Sequence, residues 1–164
     1  MQVDRVEIVI DTDFLSSFLK IDKLELVRDF FNVESVSIPL AVFNEIGKTK
    51  LVDSVLNSGW IKIRSVHSSD LSNLNDSELD NLGAGEKECM AICKASSRHL
   101  MLTNDKKARL VAGKNGIAVL NISAFLLACK SSNFLDKNEI AGIVADLKQK
   151  DYFAFSKAEL KKIY

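Results

Sequence analysis

The sequence predicts an α/β fold, a central parallel β-sheet with helices on both faces and three layers in all. Three observations predict it. Short β-branched apolar runs alternate with helix-periodic stretches along nearly the whole chain, the order that βαβ units produce. The first run, VEIVI (6–10), is almost continuously apolar, as in a strand buried on both faces. The 164 residues, 47% hydrophobic, suit one domain with a substantial core, and no linker, repeat or low-complexity stretch divides them. We take 1–164 as a single domain, with a C-terminal helix at about 156–162 as its peripheral element.

After VEIVI, residues 14–20 and 24–31 carry helical patterns. Residues 33–38 (VESVSI) alternate and form a second strand. Pro39 suits the opening of a helix over 40–47, which Gly47 ends, and a short helix follows at 50–56. Residues 60–66 (WIKIRSV) alternate strictly, as a half-exposed edge strand does. The polar stretch 68–81 is a loop or weak helix, and Gly83-Ala84-Gly85 is a break. A helix over 86–98 then places Cys89, Ile92 and Cys93 on one face. A strand at 100–103, a helix at 105–113 and a strand at 117–120 complete the alternation. Helices follow at about 123–131, 137–148 and 156–162. Crossovers between the parallel strands should be right-handed.

Charge is balanced, 22 Lys and Arg against 22 Asp and Glu, which removes the simplest argument for nucleic-acid binding but leaves room for a local basic patch. Acids gather at Asp70, Asp76, Glu78 and Asp80, and lysines at 148, 150, 157, 161 and 162; both read first as solvated surface. Three cysteines, an odd number, argue against a disulfide framework. Acids at 4, 7, 11 and 13 argue against a signal peptide, and the longest apolar stretch, 116–129, is too short for a membrane span. The expectation is a cytoplasmic protein with no membrane partner.

In an open parallel sheet, ligands bind beyond the carboxyl ends of the strands. Asp11-Thr12-Asp13 follows the first strand, and Asn104-Asp105 follows LMLT (100–103), so two carboxylates leave one sheet edge. An Asp there also suits a helix N-cap. Glu45 lies among Val42, Phe43 and Ile46, where a carboxylate wants a partner or a cation unless it faces solvent. Glu86 opens a helix, where the macrodipole favours an acid. Four converging carboxylates would repel one another, and a divalent cation resolves that conflict. Oxygen-only ligands without His or Cys indicate Mg²⁺ or Mn²⁺. Such an ion suits phosphoryl chemistry.

The motifs IVIDT (8–12), IPLAVFNEI (38–46), LGAGEKECMAI (82–92) and LTNDKKARLVAGKNGIAVL (102–120) follow one another over nearly the whole chain. Together they resemble the PIN-domain family of metal-dependent ribonucleases. The likeness is to the prokaryotic branch with Gly-x-Gly-Glu and Asp-Lys-x-Ala-Arg motifs, close to VapC-like toxins. The resemblance implies a three-layer α/β/α fold and four catalytic acids, Asp11, Glu45, Glu86 and Asp105. Asp11, Glu86 and Asp105 would hold Mg²⁺ or Mn²⁺, with Asp13 a further candidate ligand, and the activated water would attack an RNA phosphodiester. Thr12, Thr103, Lys106 and Arg109 are the substrate-binding candidates. The implied partners are RNA, an antitoxin and a second copy of the chain. This sequence departs from the family at Asp13, often Ser, Thr or Asn, and at Asn104, often Asp.

Two other readings are weaker. A PIN-like module could bind RNA or protein without cutting. A haloacid-dehalogenase-like phosphatase would use Asp11 and Asp13, but it leaves Glu45 and Glu86 without a role. The cysteines read as core. His67 lies in a polar segment and His99 at a helix end, and neither supports a hydrolase triad. Gly83 and Gly85 lack the third glycine of a dinucleotide fingerprint. Phe125, Leu126 and Cys129 read as core or a dimer face. Tyr152, Phe153 and Phe155 read as packing of the C-terminal segment in preference to stacking on RNA bases.

Overall fold

A computed structural model describes residues 5–74 and 77–164. Asp4 and Asp76, counted above among the acidic groups, lie outside the described residues. The strands are β1 (Glu7–Ile10), β2 (Val36–Pro39), β3 (Ile61–Arg64), β4 (His99–Leu102) and β5 (Val119–Leu120). They form one sheet in the order β3-β2-β1-β4-β5, and every neighbouring pair is parallel. The helices are α1 (Thr12–Lys20), α2 (Glu25–Phe31), α3 (Leu40–Ile46), α4 (Val52–Ser58), α5 (Ser68–Ser72), α6 (Ala84–Ala95), α7 (Lys106–Lys114), α8 (Ile122–Ser131), α9 (Lys137–Lys150) and α10 (Lys157–Ile163). They cover both faces of the sheet, which makes the fold the three-layer α/β/α arrangement expected. No helix among the described residues is long and apolar enough to cross a membrane.

The central strands follow from their residues. Ile8, Val9 and Ile10 of β1 are fully buried, as a strand with neighbours on both sides and helices on both faces must be. In β2, alternation would put Ser37 on an exposed face, but all four residues are buried. Ser37 Oγ satisfies itself by donating to Glu7 Oε1 at 2.6 Å, and Arg64 of β3 donates to the same oxygen at 2.6 Å. As expected, β3 is an edge strand, but its alternation overstates its burial: Ile63 is exposed. β5 is only two residues long, because the chain turns into α8 at the Asn121 cap.

Behind the sheet an aromatic cluster locks α1, α2 and α8 together. Phe14 and Phe18 stack at 5.0 Å, and Phe125 meets Phe18 and Phe30 edge-on at 5.6 and 5.4 Å. Phe125, Leu126 and Cys129 are therefore core. The C-terminal helix docks on α8 through buried Ile163 and through Ser123 Oγ, which donates to Glu159 Oε1 at 2.8 Å.

Two local expectations need correction. Gly83 to Gly85 is not a break: Gly83 is the N-cap of α6, and Ala84 and Gly85 are its first turn. A glycine is tolerated there because this turn runs against α3, as described below. His99 does not end a helix; it begins β4, with Nδ1 3.2 Å from the carbonyl of Ser96. Gly47 does end α3, but with φ of −59°, so it supplies no left-handed cap.

Candidate active site

From β1 the chain winds outward through β2 to β3, then returns to lay β4 on the other side of β1. The strand order therefore reverses between β1 and β4, and in open α/β sheets the crevice at such a point takes the ligand. The ends of both strands are tied there: the Asp11 N–H donates to Leu102 O at 3.0 Å. Asp11 caps α1, and Asp105 caps α7 by accepting from the Ala108 N–H at 2.6 Å. Thr103, fully buried, joins the two acids. Its Oγ1 donates to Asp11 Oδ2 at 2.8 Å and accepts from the Asp105 N–H at 3.2 Å. The other oxygen of Asp11 accepts from the Thr12 N–H at 2.7 Å.

Burial is the first influence on Asp11, which is 3% exposed; its pKa is pushed up to about 7. The bonds from Thr103 and Thr12 oppose that rise, and the charges of Glu86 and Asp13 add to it. Asp13 is raised by partial burial and then by Asp105, Glu45 and Asp151, with Lys20 opposing. Glu86 is raised by burial, Asp105 and Glu45, opposed by backbone N–H groups at Gly83 and at Glu86 itself. Asp13 and Glu86 each feel Asp105 and Glu45, and Asp11 feels Asp13 and Glu86, so the five acids form one like-charged group.

Glycine 85 lets the elements converge. A Cβ there would stand 3.3 Å from Glu45 Oε1, 3.3 Å from Val42 Cγ2 and 3.6 Å from Thr12 Oγ1. The first turn of α6 therefore presses on Glu45 of α3 and Thr12 of α1. Glu86 folds back over the N-cap, its Oε2 2.7 Å from where a Gly83 Cβ would be. Although it lies in an apolar stretch of sequence, Glu45 is exposed apart from this contact. Glu88, which sequence reasoning passed over, caps α3 by accepting from the Ala41 N–H at 2.9 Å.

Among the described residues, no three Asp, Glu, His or Cys side chains stand close enough together to hold a metal ion. The carboxylates of Asp11, Glu86 and Asp105 instead accept from N–H groups at the starts of α1, α6 and α7. Thr12 Oγ1 is the exception to this satisfaction, a buried hydroxyl with no hydrogen-bond partner among the described residues.

Lys106 and Lys107 project from the start of α7 into solvent. Arg109 Nη1 donates to Asn104 O at 2.7 Å, and its charge helps lower the pKa of Glu159, after the stronger effects of the Ser156 and Ser123 bonds. Asn104 turns its side chain to the start of α8, accepting from the Ile122 N–H at 3.0 Å. Asp151, which no motif singles out, borders the group through Ser17 Oγ at 2.5 Å and Lys20 Nζ at 2.7 Å. The three cysteines are buried and free: Cys89 donates to Ile10 O at 3.7 Å and feels Asp11 and Glu86 after burial, which raises its thiol, and burial pushes the thiols of Cys93 and Cys129 up to about 12. A cavity of about 530 Å³ opens elsewhere, lined by Asp22, Asp53 and Trp60 among others and by none of the five clustered acids.

A protein-family model described as a PIN domain fits residues 7–164. No curated protein matches the chain.

Proposed function

Because the chain belongs to the PIN-domain family, a fold of the nuclease type, we propose that it is a metal-dependent endoribonuclease acting at the crevice between β1 and β4. The observation that carries this reading is the group of five carboxylates there, in which Asp11 feels Glu86 and Asp13, Asp13 and Glu86 feel Asp105 and Glu45, and Asp11 and Asp105 are joined through one buried threonine. Like charge collected at a strand-order reversal calls for a cation. The donor set fits a hard one: carboxylate oxygens and the unpartnered Thr12 hydroxyl, with no His or Cys among the group. Asp11, Glu86 and Asp105 would hold Mg²⁺ or Mn²⁺, with Asp13 at the border, on turning from the helix N–H groups that they now accept from. When bound, the ion lowers the pKa of a water and neutralises charge on a phosphodiester.

The side chains supply the rest. Thr103 holds Asp11 in one orientation. Burial and the neighbouring acids push the pKa of Asp11 up to about 7, and a bound cation would favour its ionised form. Glu45, beside the first turn of α6, positions the nucleophile. Lys106 and Arg109 receive substrate phosphates, which sets orientation and not sequence. We further propose that the chain works as a single cytoplasmic domain, as a VapC-like toxin held in check by an antitoxin, with a homodimer as its working form.

The test is cleavage of labelled single-stranded RNA with Mn²⁺, with Mg²⁺ and with EDTA, by wild type, Asp11→Asn and Asp105→Asn. Metal-dependent cutting that both substitutions abolish is the expected result. One observation favours a second reading: the acids already serve as helix caps, and no three of them share an ion position. A folded protein that binds RNA, does not take up Mn²⁺ at millimolar concentration and cuts nothing would make this a PIN-like binding module.

A further inference from the structure

We propose that Tyr152 is a stacking platform for an unpaired base of the RNA, held beside the carboxylate group by Asp151. The inference rests on the nuclease reading and adds to it the residue that grips a nucleobase. It begins with a backbone cost. Four non-glycine residues among those described have positive φ: Asp22, Asn32, Asn133 and Tyr152. The first three are types whose short polar side chains tolerate the left-handed region; a bulky tyrosine at φ 54° is the outlier.

Its position explains the φ. Asp151 is the C-cap of α9, and the next residue is where a helix commonly reverses through a glycine. The Phe153 N–H returns to Leu147 O at 3.1 Å, one residue further back than the usual glycine-ended helix reaches, so the chain turns sharply at Tyr152. Glycine would make the turn without strain, and tyrosine gains nothing by packing, since it is 89% exposed. Phe153 and Phe155 differ: their rings meet at 4.7 Å and both pack against the core. A large aromatic group kept in solvent at a conformational cost is available for a ligand.

The place is fixed from the other side as well. Asp151 is held to α1 by Ser17 and Lys20, and its charge is felt by Asp13, which also feels Asp105 and Glu45. Tyr152 is one peptide bond from that anchor. Lys148 occupies the last turn of α9 just before it, as does Lys150, which pairs with Asp146 at 3.5 Å and could exchange that carboxylate for a phosphate beside a stacked base. Aromatic rings with flanking cations are how proteins hold unpaired nucleotides without reading sequence.

The experiment measures binding of a short single-stranded RNA carrying 2-aminopurine, whose fluorescence is quenched on stacking, in an Asp105→Asn background that leaves the RNA uncut. Tyr152→Ala and Tyr152→Gly should weaken binding about tenfold, and Tyr152→Phe should leave it unchanged. Tyr152→Gly should also raise the Tm by about 2–4 °C, so stability and binding move in opposite directions. A base-free oligomer of the same length should bind all variants alike. Equal binding of the RNA by Tyr152→Ala and its parent overturns the proposal, as does an equal loss in Tyr152→Phe. If the wild type cuts RNA while Tyr152→Ala binds normally, only the platform fails. If the parent binds no RNA and the wild type cuts none, the nuclease reading fails and the platform with it.

Discussion

A single hydroxyl, that of Thr103, donates to Asp11 and accepts from the backbone of Asp105, so one side chain orients both strand-end acids. Thr103→Val keeps the shape and removes both bonds. The buried Asp11 oxygen would lose its donor at a cost of about 1–3 kcal/mol. Its pKa would rise further, because the Thr103 bond now holds it down. Urea denaturation should show that loss, and the acid limb of the cleavage–pH profile should move to higher pH. An unchanged acid limb would mean that Asp11 does not govern it. At this scale the sequence is legible where a residue type follows a strand. Asp11 and Asp105 each follow a short apolar run and each opens a helix. That same pattern cannot separate a cap from a ligand, and both residues are caps. Tyr152 is not legible in this way, since neither its left-handed φ nor its exposure leaves a mark in composition.

At the scale of the elements, the acids sit at the starts of α1, α6 and α7, where unpaired N–H groups stabilise a carboxylate. Charge and cap can be separated at Asp105. Asp105→Asn keeps an oxygen for the Ala108 N–H, so thermal stability should change little while cleavage is lost. Asp105→Ala removes the cap as well and should cost about 1 kcal/mol. Two curves that coincide in a thermal melt would refute the capping role. The start of α6 shows why sequence reading slips: two glycines in three residues look like an interruption. Yet Gly85 is helical, and its missing Cβ makes space for Glu45 and Val42. That need exists only once α3 and α6 are packed together. Glu45 and Glu86 stand out by placement, Glu45 in an apolar stretch and Glu86 at a helix start, but either could still be an ordinary surface acid, and the motifs link them to the strand-end pair. Asp151 meets α1 only through the docking of α9, which no local pattern records.

For the whole molecule, the collected acids make stability depend on pH. Asp11 has a higher pKa folded, about 7, than its ordinary value of 3.8, so the folded state holds its proton more tightly. Its contribution is complete below about pH 4 and is lost as pH rises to about 7, at a cost of up to about 4 kcal/mol. Partial burial and like charges give Asp13 and Glu86 shifts of the same sign. Urea midpoints should therefore fall from pH 5 to pH 8 in the wild type and fall less in Asp11→Asn. Saturating Mn²⁺ at pH 8 should recover the loss, by about 2.7 kcal/mol at a hundred times its Kd. Equal pH slopes in the two proteins would show that Asp11 is not the source. The pairing of β1 with β4 has a further consequence, and it concerns time. It joins Glu7 to His99 and Ile10 to Leu102, so a loop spanning more than half of the chain must close before the two strand ends meet. Contacts so distant in sequence form slowly. A nascent chain can build β1, β2 and β3 while Asp11 still has no Thr103 or Asp105 beside it. Any cutting power would then arise only once β4 has emerged and docked, so the site forms late in synthesis even though β1 is the first strand made.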